Sequence, residues 1–160
     1  MKKISKFVFA FYLILLTWGI MFKFGGHLSL PSVHIWYVNL IPYAQSGGSL
    51  EIAFNVFVFI PYGLLFMTVA KRLTFWQKFL IIMATSFIFE FIQFLTNIGV
   101  ADITDLINNS IGGLLGLGIY QLLSKKIRSD KLDVSIPFVL ILIILFLLIL
   151  LSTMHLRFRF

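Results

Sequence analysis

The stretch that decides the fold is residues 79–126, FLIIMATSFIFEFIQFLTNIGVADITDLINNSIGGLLGLGIYQLLSKK. It begins as an apolar run long enough to cross a bilayer, yet Glu90 sits in its middle. It turns near Asn97–Asp102, returns through a second run that carries Asp105, Asn108 and Asn109, and stops at Lys125-Lys126. A charged side chain at the centre of a span costs roughly 2.5–3.5 kcal/mol on insertion scales. Polar groups in such a hairpin therefore face neighbouring helices.

The rest of the chain has the same character. Apolar residues make up 60% of its 160 residues, only 12% are charged, and the mean hydropathy is +1.02, which leaves too little polar surface for a soluble domain. Lipid requires the backbone to bond to itself, as helices or as a closed barrel. The apolar runs are continuous rather than alternating, so they predict helices. Five spans are expected, at 7–24, 52–70, 79–100, 102–123 and 134–154, each able to cover a core of roughly 30 Å. The fold class is thus all-α, a polytopic membrane helix bundle, read as one domain over residues 1–160 with no repeat or linker. Basic residues before the first run suit a signal peptide, but no small-residue cleavage site follows, so a retained anchor is expected. With no cysteine, disulfides and thiolate chemistry are excluded.

The formal charge of +7 has a topological explanation. If the N-terminus is inside, Lys2, Lys3, Lys6, Lys71, Arg72, Lys78, Lys125, Lys126, Arg128 and Lys131 are cytoplasmic, and only Lys23, Arg157 and Arg159 lie outside. The positive-inside rule selects that orientation, with the C-terminus outside. Nucleic acid is not needed to explain the charge. The longest external loop, residues 25–51, carries His27, Pro31, His34, Trp36, Tyr37, Asn39, Pro42 and a Ser46-Gly47-Gly48-Ser49 turn cluster. Trp36 and Tyr37 suit the headgroup level, so membrane lipids are expected partners of this loop. The two histidines read as ordinary loop residues.

In the third span Ser86, Glu90, Gln93 and Asn97 fall at i, i+4, i+7 and i+11, one helical stripe. No basic residue lies near Glu90 in any span. In the fourth span Asp102, Asp105, Asn109, Gly112, Gly113 and Gly116 share an arc of about 100°, with Asn108 outside it. The second span adds Asn55 near its outer end. At the helical rise, Glu90 and Asn109 each lie about 10 Å below the outer boundary, so the three helices could converge on one pocket opening outward. Other roles fit some of these residues as well. Asp102 suits a helix N-cap, and Asp105 the positive end of the helix dipole. Gly112-x3-Gly116 reads as a packing seam, and Pro61 with Gly63 as a place where the second helix kinks or thins.

Four ordered motifs resemble the VanZ family. They are Asn39-Leu40-Ile41-Pro42-Tyr43, Asn55-x3-Phe59-x-Pro61-x-Gly63, Glu90-x2-Gln93 and Asp102-Ile103-Thr104-Asp105-x3-Asn109-x2-Gly112-Gly113. Phe22-Lys23 and His155-Leu156-Arg157 extend the likeness. Many family members carry an arginine just before the first aspartate of the last motif; here Ile98-Gly99-Val100-Ala101 precedes it. The resemblance implies a multi-pass protein of the bacterial cell membrane. It would lower susceptibility to teicoplanin, a lipid-tailed glycopeptide that acts on wall precursors outside the membrane.

Three mechanisms are compatible with these residues. A binding module would take the lipoglycopeptide, or a lipid-linked wall precursor, beside Trp36 and Tyr37 and pair its amine with Glu90, Asp102 or Asp105. A membrane enzyme could use the same carboxylates to hold a divalent cation or to move a proton, although no nucleophile motif or phosphate-binding loop is present. An ion-coupled transporter of this size would need to dimerise, for which Gly112 and Gly116 offer a seam. A divalent cation is thus permitted but not required.

Overall fold

The computed structural model describes residues 2–22, 38–43, 48–96 and 101–157. It contains five helices: α1 Lys2–Phe22, α2 Ser49–Val69, α3 Phe75–Thr96, α4 Ile103–Ser124 and α5 Ser129–Arg157. Each is long and apolar enough to cross a membrane. Two short strands, β1 Val38–Asn39 and β2 Ala101–Asp102, pair in parallel, Val38 with Ala101 and Asn39 with Asp102.

The helices outrun the apolar stretches that reveal them. Hydropathy marks where lipid begins, whereas backbone hydrogen bonding continues into polar sequence. Thus α1 starts at Lys2 and α5 at Ser129, ahead of their apolar cores. A reciprocal cap sets the start of α3: the Gln77 N–H donates to Thr74 Oγ1 at 3.3 Å and the Thr74 N–H to Gln77 Oε1 at 2.9 Å. Lys78 therefore lies in the first turn of α3 rather than before the span.

Helix α4 is the most buried of the five and packs chiefly on α2 and α3, because glycine lets these neighbours approach. A Cβ on Gly112 would strike the Val56 carbonyl of α2, and one on Gly116 the Ile60 carbonyl. From the other side, a Cβ on Gly63 would strike the Gly113 carbonyl. The seam thus lies inside one chain, between α4 and α2, rather than between two copies as the transporter reading required. Gly113 turns toward α3, where a Cβ would overlap Ile82.

Apolar packing fills the rest. Phe59, Tyr62 and Phe66 of α2 meet Leu16 and Ile20 of α1, Ile82 and Phe89 of α3, and Leu117 of α4. Phe9 stacks on Tyr62 and Phe66 with ring centroids 5.8 and 5.6 Å apart. Two prolines lie within helices, Pro61 in α2 and Pro137 in α5. A proline lacks the N–H that would bond the carbonyl four residues back. For Pro137 that carbonyl belongs to Asp133, and Ser5 Oγ donates to it from α1 at 2.8 Å. In the turn before Pro61, Tyr12 Oη donates to the Val58 carbonyl at 2.6 Å. At each proline a hydroxyl from α1 bonds a carbonyl of the loosened turn.

Candidate functional site

At the Asn55 end of the bundle α2, α3 and α4 build a buried polar cluster. It contains Asn55 of α2, Ser86 and Glu90 of α3, and Thr104, Asp105, Asn108 and Asn109 of α4, all buried. Asn55, Ser86, Thr104 and Asn109 have no exposed surface at all.

The register of α3 against α4 explains why these residues meet. Gly113 faces Ile82, and one turn further Asn109 Nδ2 donates to Ser86 Oγ at 2.9 Å. The helices are antiparallel, so the next turn brings Glu90 opposite Asp105. Across the other face of α4, Asn55 Nδ2 donates to Asp105 Oδ1 at 2.5 Å. The bond ties α2 to α4 out of contact with water, where a hydrogen bond is electrostatically stronger than in water.

Asp102 links the cluster to its roof. It is the N-cap of α4, in extended conformation, and its Oδ1 accepts from the Thr104 N–H at 2.8 Å. Its Oδ2 accepts from Asn39 Nδ2 at 3.2 Å, and its own N–H donates to Glu90 Oε2 at 2.9 Å. Capping and cluster membership are therefore both fulfilled by this one side chain. The roof is the strap 38–43. Asn39 Oδ1 accepts from the Ile41 N–H at 3.2 Å, and the Tyr43 N–H donates to Thr104 Oγ1 at 3.0 Å. Tyr43 holds a left-handed backbone, φ 60°, which costs energy for a side chain of its size. From there its phenol, on a residue 53% exposed, donates to Asn108 Oδ1 at 3.3 Å. One side chain thus connects the surface to the buried cluster.

Among the described residues three buried amides, Gln93, Asn108 and Asn109, each keep one atom without a hydrogen-bond partner. In the cluster these atoms are Asn109 Oδ1 and Asn108 Nδ2. Exchanging O and N of the Asn109 amide would leave its other atom unpaired instead, so one atom lacks a partner in either orientation. A buried polar atom without a protein partner is costly unless a water, an ion or a ligand bonds to it.

The sequence-expected residues divide as follows. Asn55, Glu90, Asp102, Asp105, Asn109 and Asn39 come together. Gln93 does not join them: its Nε2 donates to the Ile20 carbonyl at 3.1 Å and ties α3 to α1. Pro42 lies exposed in the turn of the strap. Trp36 and Tyr37 lie outside the described residues, as do His27, His34 and Asn97. Asn108 falls outside the expected arc yet is buried, because α4 is enclosed by the strap as well as by α2 and α3. Thr104 and Tyr43 stood within the quoted motifs without a role. Among the described residues no three His, Cys, Asp or Glu side chains form a group that could hold a metal ion. Where an outward-opening pocket was expected, the described residues form a bonded cluster under the strap.

Comparison with known proteins adds two findings. The pattern that defines the VanZ/LLP1 family matches residues 9–124. Protein VanZ of Enterococcus faecium is 40% identical over 160 residues, which cover 99% of this chain and 98% of that protein. No solved structure matches.

Proposed function

The chain belongs to the VanZ/LLP1 family, and on that premise we propose that it is a bacterial membrane protein that lowers susceptibility to teicoplanin and related lipid-tailed glycopeptides. In this reading the polar cluster binds the antibiotic, or a lipid-linked wall precursor, from the outer leaflet. The N-terminus is cytoplasmic and the cluster faces outward, the orientation that the lysines and arginines favour.

The observation that carries this reading is the cluster itself: carboxylates and amides of α2, α3 and α4 buried together in a membrane helix bundle, with the Asn109 amide oxygen unbonded among the described residues. Family membership supports a role in glycopeptide resistance, and the cluster offers groups that could bind such a ligand. Glu90 and Asp105 suit an amine, and the amides of Asn108 and Asn109 suit peptide N–H and C=O groups. The strap Asn39–Tyr43 lies between the cluster and the outer surface, so it is the place of first contact. A lipid tail raises the local concentration of ligand in the bilayer, which gives tailed glycopeptides their advantage over tail-less ones.

The test is equilibrium binding to the purified protein in nanodiscs. Teicoplanin binds more tightly than vancomycin, and Asn109→Ala weakens binding by about tenfold, the worth of a hydrogen bond to a polar ligand in a dry site. Equal affinity for both drugs, unchanged in Asn109→Ala, contradicts the reading.

A further inference from the structure

The opposite end of the bundle holds a second constructed site, lined by cations. A recess of about 560 Å³ lies against Lys6 of α1, the end of α2, the Lys71-Arg72-Leu73 turn and Asp133 of α5. That volume is in the range of small-ligand sites, about 300–1,000 Å³. Its walls bring three cationic side chains, Lys6, Lys71 and Arg72, against one carboxylate.

The carboxylate is already engaged. Lys71 Nζ donates to Asp133 Oδ1 at 2.6 Å and to Tyr120 Oη at 2.7 Å, and Tyr120 Oη donates to the same Asp133 oxygen at 2.7 Å. These bonds fix the rim of the recess. Lys6 and Arg72 have no ion pair among the described residues, so their charges are available.

A smaller and largely apolar cavity of about 130 Å³ shares Asp133 with the recess. Ile4, Pro137, Phe138 and Ile141 line it, between α1 and α5. Cations above and an apolar groove below form the profile of an amphiphile with an anionic head.

We propose that this recess binds a phosphate-bearing anion, and that its source is the headgroup of an anionic phospholipid whose chain follows the Ile4–Ile141 groove. Arg72 and Lys6 contact the phosphate oxygens, Arg72 through its planar fork and Lys6 as a point charge. The Lys71–Asp133–Tyr120 triad holds the walls apart. The proposal does not depend on the outward-facing cluster or on its ligand.

The test uses the full chain in detergent, with dioctanoyl phosphatidylglycerol, dioctanoyl phosphatidylcholine and inorganic phosphate as separate probes, read by calorimetry. Lys71 is left intact because it anchors two other side chains. Phosphatidylglycerol binds the wild type more tightly than phosphatidylcholine does. Lys6→Gln and Arg72→Gln each weaken it on the order of fivefold, as expected for one basic residue near an anionic headgroup. Lys125→Gln/Lys126→Gln, which removes two charges outside the recess, leaves binding unchanged. Equal binding by wild type and Lys6→Gln/Arg72→Gln overturns the site, as does an equal loss in the Lys125/Lys126 variant. Inorganic phosphate binding as tightly as phosphatidylglycerol overturns the lipid as the source.

Discussion

Helices α4 and α5 differ in opposite directions. Of the five, α5 is the most apolar and leaves most of its surface uncovered, whereas α4 is the least apolar and the most deeply buried. In a soluble protein that ordering would be reversed. In a bilayer, lipid solvates Leu and Ile as well as another helix does, so apolar surface gives no reason to associate. Close approach through glycine and hydrogen bonds between helices give that reason, and α4 has both. The stretch that matches the family ends at Ser124, the last residue of α4, so α5 lies beyond it.

Breaking the α4 seam should have the largest effect. Gly116→Leu pushes a side chain into the Ile60 backbone of α2, which cannot move aside as a flexible side chain would. The expected cost is about 3 kcal/mol or more, seen as loss of the monodisperse peak in detergent chromatography. A stable, monodisperse Gly116→Leu protein would mean that α2 and α4 are not in contact there.

Removing one half of the polar bond comes next. Asn55→Leu leaves the Asp105 carboxylate buried beside a methyl group, at a cost of about 2–3 kcal/mol in thermal unfolding. Asn55→Leu/Asp105→Leu recovers most of that stability, because both partners are replaced together. If the double variant is as unstable as the sum of its parts, the bond is not the link between α2 and α4.

A smaller change sharpens the contrast on the α5 side. Ser5→Ala strands the Asp133 carbonyl that Pro137 leaves open, costing about 1 kcal/mol. In a Pro137→Ala background the restored helix N–H takes that carbonyl and the cost largely disappears; an undiminished cost would refute the pairing. The smallest effect is expected on the lipid face of α5. Phe146→Ala, at a residue 65% exposed, should shift stability by no more than about 0.5 kcal/mol in a lipid-like detergent. A large loss there would show that a further partner covers this face.

The sequence made the five helices legible because their signal is local: an uninterrupted apolar run has few alternatives once composition excludes a soluble domain. The stripe through Ser86 and Glu90 was legible for a similar reason, since one helix face can be computed from spacing alone. Gln93 lies on the same stripe but turns to the Ile20 carbonyl, because α1 crosses α3 at that level, and spacing within α3 contains no information about α1. The period of α4 assigns one inner face and leaves Asn108 off it, whereas the helix is enclosed by the strap as well as by α2 and α3. The pairing of Ser5 with Asp133 spans nearly the whole chain. Only half of it could be read: Pro137 announces an open carbonyl four residues back, and nothing in the sequence names the donor.

The central claim is that the carboxylates and amides around α4 act on a ligand rather than only holding helices together. Glu90→Gln is the most direct test, since the amide retains an oxygen for the Asp102 N–H while losing the charge. Cells expressing wild type or Glu90→Gln at equal membrane levels are compared for teicoplanin and vancomycin susceptibility. The account predicts that Glu90→Gln loses teicoplanin protection and leaves vancomycin susceptibility unchanged. Full teicoplanin protection by Glu90→Gln would contradict it.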